Sequence, residues 1–270
     1  MSSSDNPLEY HDRWALFGSL PLFIGSEADR RIYYNRAGRI RLPVRLVTYI
    51  FCSLPTLALF ACVFLALETD FELATRTHCG VQNLLPSVSV AVGDFHWGNL
   101  LWKSAIFTHL PPRICVAFVY AQLFRVPFER CGQQTLRYAT CVTNLIELFS
   151  LGLLSAVTSE HNHPLHVFAF TTFQISAIVH MMLHTWMYDI CRLNTASKIC
   201  RQSYRYKRRF LRFSFFLLIA CSFIYYWHNA RCEPYVYSLF ALCEYLLVVM
   251  NILFHGTVMY DFDRCYVYIF

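Results

Sequence analysis

Residues 44–67 read VRLVTYIFCSLPTLALFACVFLAL, and this stretch decides the fold class. After Arg45, the 22 residues 46–67 carry no charge. A helix of about 20 apolar residues is long enough to cross the roughly 30 Å hydrocarbon core of a bilayer. The stretch therefore predicts a transmembrane helix.

The composition of the whole chain agrees with a membrane protein. Of its 270 residues, 56% are apolar and 15% are charged, whereas soluble domains have about 45–50% and about 25%. This argues against an ordinary soluble enzyme and excludes a disordered chain or a disulfide-rich mini-domain. We predict an all-α fold, a polytopic six-helix transmembrane bundle. The other five predicted spans are 100–124, which is the least apolar, 136–158, 165–188, 210–227 and 235–259.

Positive charges are distributed unevenly over the predicted loops. Cytosolic loops of membrane proteins carry the excess of Lys and Arg, so the side with the larger count is predicted to be cytosolic. That side includes both termini, and loops 68–99, 159–164 and 228–234 are then luminal. Nineteen of the 23 basic residues fall on the cytosolic side: seven up to Arg45, three in loop 125–137, eight in loop 189–212 and one in the tail.

The two ends of the chain are predicted to lie outside the membrane. Residues 1–43 form a cytosolic N-terminal extension, 44–262 the membrane domain and 263–270 a short cytosolic tail. An apolar patch at Trp14–Gly25 is too short for a span and lacks the context of a signal peptide. We interpret it as an interfacial or loosely packed extension.

This topology sorts the 12 cysteines. Most lie in predicted spans or on the cytosolic side, where thiols stay reduced. Only Cys79 and Cys232 fall in the luminal loops, so we predict a disulfide between them. Two alternatives stay open: a pair of free thiols, or Cys79 as a nucleophile within Thr77-His78-Cys79-Gly80.

Ionisable side chains recur at helical spacing inside the predicted spans. Such groups are costly in lipid and usually face the interior of a bundle. Counted from the luminal end of each span, Arg113 and Glu147 lie at nearly the same depth, so we predict an ion pair between them. The other polar side chains sort into a shallower pair, His109 and Glu244, and a deeper set, Asn144, His180 and Asn251.

Two interpretations fit these buried polar groups. In one, they are hydrogen bonds between helices that hold the bundle together. In the other, they line a polar cavity entered from the luminal leaflet. An arginine in that cavity could hold a phosphate, and histidines and carboxylates could move protons.

The luminal rim is rich in histidine. His166 begins the fourth predicted span and His228 ends the fifth, so both are expected at the level of the lipid headgroups. There a histidine could act as a base on a lipid hydroxyl, or could simply bond a loop carbonyl. The run His161-Asn162-His163-Pro164-Leu165-His166 is a weak metal signal, and no metal or cofactor is predicted. The rim comprises His78, His161, His163, His166, His228, Glu160 and Glu233.

Several runs of the sequence are distinctive, and the longest is THCGVQNLLPSVS at 77–89. Further runs are HNARCE at 228–233, FALCEY at 240–245 and the segment from Asn251 through His255 to Asp261-Phe262. Together they resemble one membrane family, Frag/DRAM/Sfk, and the resemblance extends from about residue 40 to 262. The residues that match the family pattern in type are Arg113, Glu147, His166, His180, Glu244, Asn251 and His255.

The resemblance implies a role in remodelling the lipid of GPI anchors in the Golgi membrane, with the endoplasmic reticulum as a second location. The implied reaction returns a saturated acyl chain to the sn-2 position of a lyso-GPI intermediate in the luminal leaflet. GPI-anchored proteins, lyso-GPI lipid and other remodelling enzymes are the implied partners, and no nucleic acid is. His161 and His163 do not match the family pattern.

Three hypotheses follow. In the first, the protein is an O-acyltransferase in which Arg113 contacts the inositol phosphate, His166 or His228 is the base, and Glu244 or Glu147 orients a histidine. In the second, it binds or presents lyso-GPI to a separate acyltransferase. The third, a transporter or regulator of lipid asymmetry, is disfavoured because inverted repeats and broken helix pairs are absent from the sequence.

The sequence does not specify the acyl donor. The candidate catalytic residues are His166, His228, His180, Glu244 and Glu147, and the candidate substrate-binding residues are Arg113, His109, His78, Asn251 and Asn144.

Overall fold

The computed structural model describes residues 22–25, 40–125 and 131–269. Most of these residues lie in long α-helices. The six long helices among these residues are α1 (Val44–Thr69), α4 (His96–Leu123), α5 (Cys131–Ala156), α6 (His163–Ile190), α8 (Lys198–Arg231) and α9 (Val236–Gly256). Four short helices connect or follow them: α2 (Phe71–Thr75), α3 (Val88–Gly93), α7 (Leu193–Ala196) and α10 (Val258–Asp261).

Five helical segments of the described chain are long and apolar enough to cross a membrane. The prediction of a helical, multi-pass membrane protein is thereby confirmed. Helix α4 covers all but the last residue of the predicted span 100–124 but is not one of the five, because Lys103, His109 and Arg113 lower its apolar character. The count of six spans stays a prediction. The five segments are Val44–Thr69, Gly132–Ala156, His163–Ile190, Lys198–Arg231 and Val236–Asp261.

The helices pack around an apolar core and expose apolar side chains on the outside. Leu59 of α1, Ile106 of α4 and Ala241 of α9 are buried in one cluster. Large apolar side chains such as Phe149 and Phe216 are well exposed on the bundle surface. A bundle in water would bury such residues, whereas in a bilayer they contact lipid tails.

A small sheet joins the two ends of the described chain. Strands β1 (Leu22–Gly25), β2 (Ile40–Pro43) and β3 (Tyr266–Ile269) pair antiparallel in the order β1-β3-β2. The backbone N–H of Val44 donates to the carbonyl of Cys265 at 3.1 Å. The start of the first long helix and the end of the last therefore lie at the same end of the bundle.

These strands were not expected. The interpretation of Trp14–Gly25 as an interfacial or loosely packed extension misses β1, which occupies its last four residues, and residues 14–21 lie outside the described chain. Each strand has only four residues, so alternation of apolar and polar side chains gives too little pattern to identify it. The pairing also joins segments separated by the whole bundle.

Helix α8 begins at Lys198, so the prediction of a loop over 189–212 is wrong for much of its length. The reason is a buried ion pair: Lys207 Nζ lies 2.6 Å from Asp261 Oδ2 of α10 and 3.0 Å from Ser203 Oγ. The hydroxyls of Tyr120 and Tyr188 also donate to the Asp261 carboxylate. A hydropathy search finds only the apolar part of such a helix.

The opposite end of the bundle is closed by the predicted disulfide. Cys79 and Cys232 are joined, with their Cα atoms 5.3 Å apart and a separation of 153 positions in the sequence. Beside this link, Tyr235 N donates to the carbonyl of Gln82 at 2.9 Å. The segment that leads to α3 is thus fastened to the start of α9.

Candidate functional site

A cavity of about 520 Å³ lies near the disulfide-linked end of the bundle. Helices α3, α6, α8 and α9 form its walls. Val167 and Thr171 of α6 and Tyr225 of α8 line the cavity and are exposed, so it opens sideways between these two helices. Its polar lining comprises Ser87, Ser89, Asp94, Ser159, Glu160, His163, His166, Thr171, Gln174, Ser222, Tyr225, Tyr237 and Glu244.

The short helix α3 forms one wall because two contacts hold it in place. Glu244 Oε2 accepts a hydrogen bond from the backbone N–H of Val88 at 3.0 Å. On the other side, a Cβ at Gly98 would lie 2.8 Å from the carbonyl oxygen of Ala91, so glycine permits the close packing of α4 against α3. Glu244 therefore positions α3, whereas the sequence suggested that it orients a histidine.

His166 of α6 faces Ser89 of α3 across the cavity wall. Its Nε2 lies 3.0 Å from Ser89 Oγ, and its Nδ1 lies 2.7 Å from the carbonyl oxygen of Val157. A carbonyl oxygen only accepts, so Nδ1 carries the proton. In a neutral imidazole Nε2 is then the acceptor, and the Ser89 hydroxyl donates to it. This is the arrangement of a hydroxyl with an oriented base.

Acidic groups and a histidine lie at the edge of the same cavity. Ser159 Oγ and His163 Nδ1 are 2.9 Å apart. Partial burial, together with the negative charge of Glu160, raises the pKa of Asp94 above its ordinary value. Asp94 therefore loses its charge at a higher pH than an exposed carboxyl group does.

A second polar cluster lies deeper in the bundle, around Glu147. Arg113 Nη2 is 2.8 Å from Glu147 Oε1, so the predicted ion pair is present. Asn251 Nδ2 and His255 Nε2 contact the same oxygen at 2.9 and 3.0 Å. Glu147 is fully buried. The contact between Arg113 and an inositol phosphate stays a prediction. One guanidinium nitrogen of Arg113, Nη2, already forms the ion pair with Glu147.

His180 belongs to this deeper cluster. Its Nδ1 lies 3.0 Å from the carbonyl oxygen of Thr140, and its ring stacks on that of His255. Glu147, His180 and His255 offer ligand atoms within 4.8 Å of one another, which a metal ion could use. The Arg113 guanidinium on the same carboxylate opposes a cation there, so the arrangement is better explained as an ion pair. Asn144, predicted at the same level, is also buried.

The two clusters are connected by a narrow cavity of about 70 Å³. It shares Ser89, His166 and Glu244 with the large cavity and reaches Arg113 and Asn251. His109 lines it as well, and its Nδ1 donates to the carbonyl of Phe51 at 2.8 Å. The polar residues thus form a continuous path inward from the large cavity.

His78 and His228 lie elsewhere, beside the disulfide. The His228 ring is buried, 5.0 Å from the Tyr237 ring and 5.5 Å from the His78 ring. Neither residue lines the 520 Å³ cavity. Of the two candidate bases, the structure brings only His166 to that cavity.

The sequence contains one His-x4-Asp spacing, at His184 and Asp189, the pattern of a familiar class of acyltransferase. Both residues lie in α6, where a separation of five residues places them on different faces. His184 packs against Tyr120, whereas Asp189 accepts from Asn194 at 2.6 Å. The spacing therefore does not build a site here.

Ser89 is the polar group that sequence reasoning missed. It falls in the run 77–89 that carries the family resemblance, but serine has no spacing rule that links it to a histidine 77 residues later. Only the tertiary packing of α3 on α6 brings the two together.

Residues 43–265 match the family described as Frag1/DRAM/Sfk1/Cwh43P N-terminal domain. The chain belongs to this family. Similar members include three curated proteins, and no solved structure matches the chain. Post-GPI attachment to proteins factor 2 of Caenorhabditis elegans is 36% identical over 230 residues, 83% of this chain and 87% of that protein. The Drosophila melanogaster protein of the same name is 34% identical over 222 residues, which cover 82% of this chain and 87% of that protein. Acyltransferase PGAP2 of Xenopus tropicalis is 34% identical over 213 residues, which cover 78% of this chain and 84% of that protein.

Proposed function

We propose that this protein acts in GPI-anchor maturation as a membrane acyltransferase. It transfers a saturated fatty acyl chain to the free sn-2 hydroxyl of a lyso-GPI lipid in the luminal leaflet of the Golgi membrane. GPI-anchored proteins are the carriers of that lipid. The observation that carries the proposal is the acceptor nitrogen of His166, which takes a hydroxyl hydrogen bond at the wall of the 520 Å³ cavity.

Acyl transfer to an alcohol requires a base that removes the hydroxyl proton and returns it to the leaving group. His166 has the required features, because the Val157 carbonyl fixes its tautomer and makes Nε2 the nitrogen that accepts a proton from a hydroxyl. Its place near the start of α6, beside the cavity, suits a reaction at the level of the lipid headgroups.

The cavity is also suited to a lipid substrate. Its sideways opening between α6 and α8 would admit acyl chains from the bilayer without exposing them to water. Phe170, Leu218 and Leu247 supply apolar wall, while Asp94 and Glu160 face the polar end. A lyso-GPI lipid, with its hydrocarbon chain and large headgroup, has this same division into apolar and polar parts.

The proposed topology has six spans, with both termini in the cytosol and the large cavity on the luminal side. The pairing of β2 with β3 supports it, because an even number of crossings must separate two segments at the same end of the bundle. The disulfide at the other end supports a luminal location, since disulfides persist in oxidising compartments.

The test is acyl transfer to lyso-GPI by the purified protein in lipid nanodiscs. Replacing the base in His166→Gln is expected to reduce turnover by about 100-fold or more, the usual contribution of a general base. His161→Gln is the matched control, because His161 is an exposed histidine of the preceding loop that does not line the cavity. Its turnover is expected to stay within about two-fold of the unmodified protein.

A binding or presenting protein is the alternative outcome of the same assay. If the purified protein binds lyso-GPI but transfers no acyl chain from either a phospholipid or an acyl thioester, catalysis is excluded. The search then moves to a partner acyltransferase.

A further inference from the structure

The hydroxyl that bonds His166 belongs to the protein itself. Ser89 lies in the first turn of α3, half-buried at the cavity wall. Neutral His166 has one lone pair on Nε2, and the Ser89 hydroxyl uses it. A substrate hydroxyl could contact this nitrogen only after Ser89 had moved away.

Both members of the pair are held by backbone contacts. Glu244 bonds Val88, directly before Ser89, and the Ser87 hydroxyl caps α3 through the N–H of Val90 at 3.3 Å. On the other side, the N–H of His166 donates to the carbonyl of Asn162 at 2.9 Å. A reactive hydroxyl and its base need such fixed supports on both sides.

We propose, on the basis of the function proposed above, that Ser89 is the nucleophile of a two-step acyl transfer and that a diacyl phospholipid is the acyl donor. The donor class follows from the sideways opening between α6 and α8, which faces the lipid and gives a bilayer lipid direct access to Ser89.

In the first step Ser89 Oγ attacks the acyl carbonyl carbon of the donor while His166 Nε2 takes the hydroxyl proton. The bond between Oγ and the acyl carbon forms, the bond from that carbon to the donor glycerol oxygen breaks, and His166 protonates this oxygen. The products are acyl-Ser89 and a lysophospholipid.

In the second step the sn-2 hydroxyl of lyso-GPI attacks acyl-Ser89, and His166 takes its proton. The new ester forms, the bond between the acyl carbon and Oγ breaks, and Ser89 recovers its proton from His166. The sum is a transesterification that needs no oxidant, reductant or further reactant.

The experiment is acyl trapping on the full-length protein in nanodiscs that contain phosphatidylcholine with isotope-labelled stearoyl chains and no lyso-GPI. After denaturation, peptide mass spectrometry is expected to find labelled stearoyl on the peptide that contains Ser89. Addition of lyso-GPI before denaturation is expected to remove the label from the protein and place it on the lipid.

Two variants separate the chemical role of Ser89 from a structural one. Ser89→Ala is expected to lose the label and about 100-fold or more of the transfer rate. Ser89→Cys, which keeps a nucleophile of similar size, is expected to acquire a stearoyl thioester that neutral hydroxylamine removes. Ser104→Ala is the control, because Ser104 is an exposed helical serine that bonds only its own helix, at the carbonyl of Leu100.

The outcomes distinguish the two proposals. If the unmodified protein acylates lyso-GPI and Ser89→Ala keeps its rate within about three-fold, the nucleophile is overturned and the function stands. If label reaches Ser89 only from stearoyl-CoA, the phospholipid donor is overturned. If the unmodified protein transfers no acyl chain from either donor, the proposed function itself fails.

Discussion

At the scale of single residues, Glu147 is the group on which the inner polar cluster depends. Its Oε1 accepts from Arg113, Asn251 and His255, which lie on two different helices. Carboxylate and guanidinium are both buried, so neither charge has water as an alternative partner. Loss of one partner leaves the other as an uncompensated charge inside the bundle.

Glu147→Leu is therefore expected to lower the free energy of unfolding by about 3–5 kcal/mol, since Arg113 keeps its charge without a counterion. The double variant Arg113→Met/Glu147→Leu is expected to regain more than half of this loss, because no charge is then buried. Thermal unfolding of the two variants in a mild detergent measures both changes in stability. A double variant no more stable than Glu147→Leu alone would contradict the interpretation as a compensated pair.

Single residues differ in whether the sequence alone predicts their contacts. Arg113 and Glu147 could be paired from the sequence because both lie on long helices of known rise, where residue number gives depth. Ser89 could not be identified in this way. It lies on a six-residue helix whose position depends on Glu244, Gly98 and the disulfide. No periodic pattern in the sequence reveals these contacts.

At the scale of elements, α3 depends on the link between Cys79 and Cys232. The segment before α3 also bonds α9, because Ser238 Oγ accepts from the backbone N–H of Leu84 at 2.7 Å. These contacts fix the start of α3 and hence Ser89, whereas the inner polar cluster around Glu147 joins α4, α5 and α9 directly. The disulfide should therefore matter more for the site than for the bundle.

The double variant Cys79→Ser/Cys232→Ser is expected to lose about 2–5 kcal/mol of stability, as for removal of other native disulfides that close long loops. Its acyl transfer is expected to fall further than its helical content by circular dichroism. A phosphine reductant should lower the unfolding temperature of the unmodified protein but not that of the variant. An equal decrease in both would mean that the reductant acts elsewhere.

The helices and the sheet differ in how well the sequence predicts them. The apolar run at 44–67 identifies α1 without any knowledge of its neighbours. The strand at 266–269 exists only as the partner of β1 on one side and of the strand at 40–43 on the other. Such non-local pairing, like the Lys207–Asp261 ion pair that extends α8, is determined by tertiary contacts.

At the scale of the whole molecule, the sheet restricts how the chain can cross the membrane. Strand β2 directly precedes α1 and β3 follows α10, so their pairing places both ends of the membrane domain on one side. Five crossings would put these strands on opposite sides and prevent the pairing. The proposed topology therefore uses helix α4, the least apolar of the long helices, as the sixth crossing, and its His109 and Arg113 are buried inside the bundle.

The test is protease protection in sealed microsomes from cells that express the chain with different epitope tags at its two ends. External protease is expected to remove both tags, because the proposed topology, which rests on the excess of Lys and Arg, has both ends in the cytosol. The region around the disulfide is expected to stay protected until detergent opens the vesicles. If one tag is protected, the number of crossings is odd and α4 does not span the membrane. If both are protected, the count of six holds but the orientation is reversed, which would move the Ser89–His166 cavity to the cytosolic leaflet.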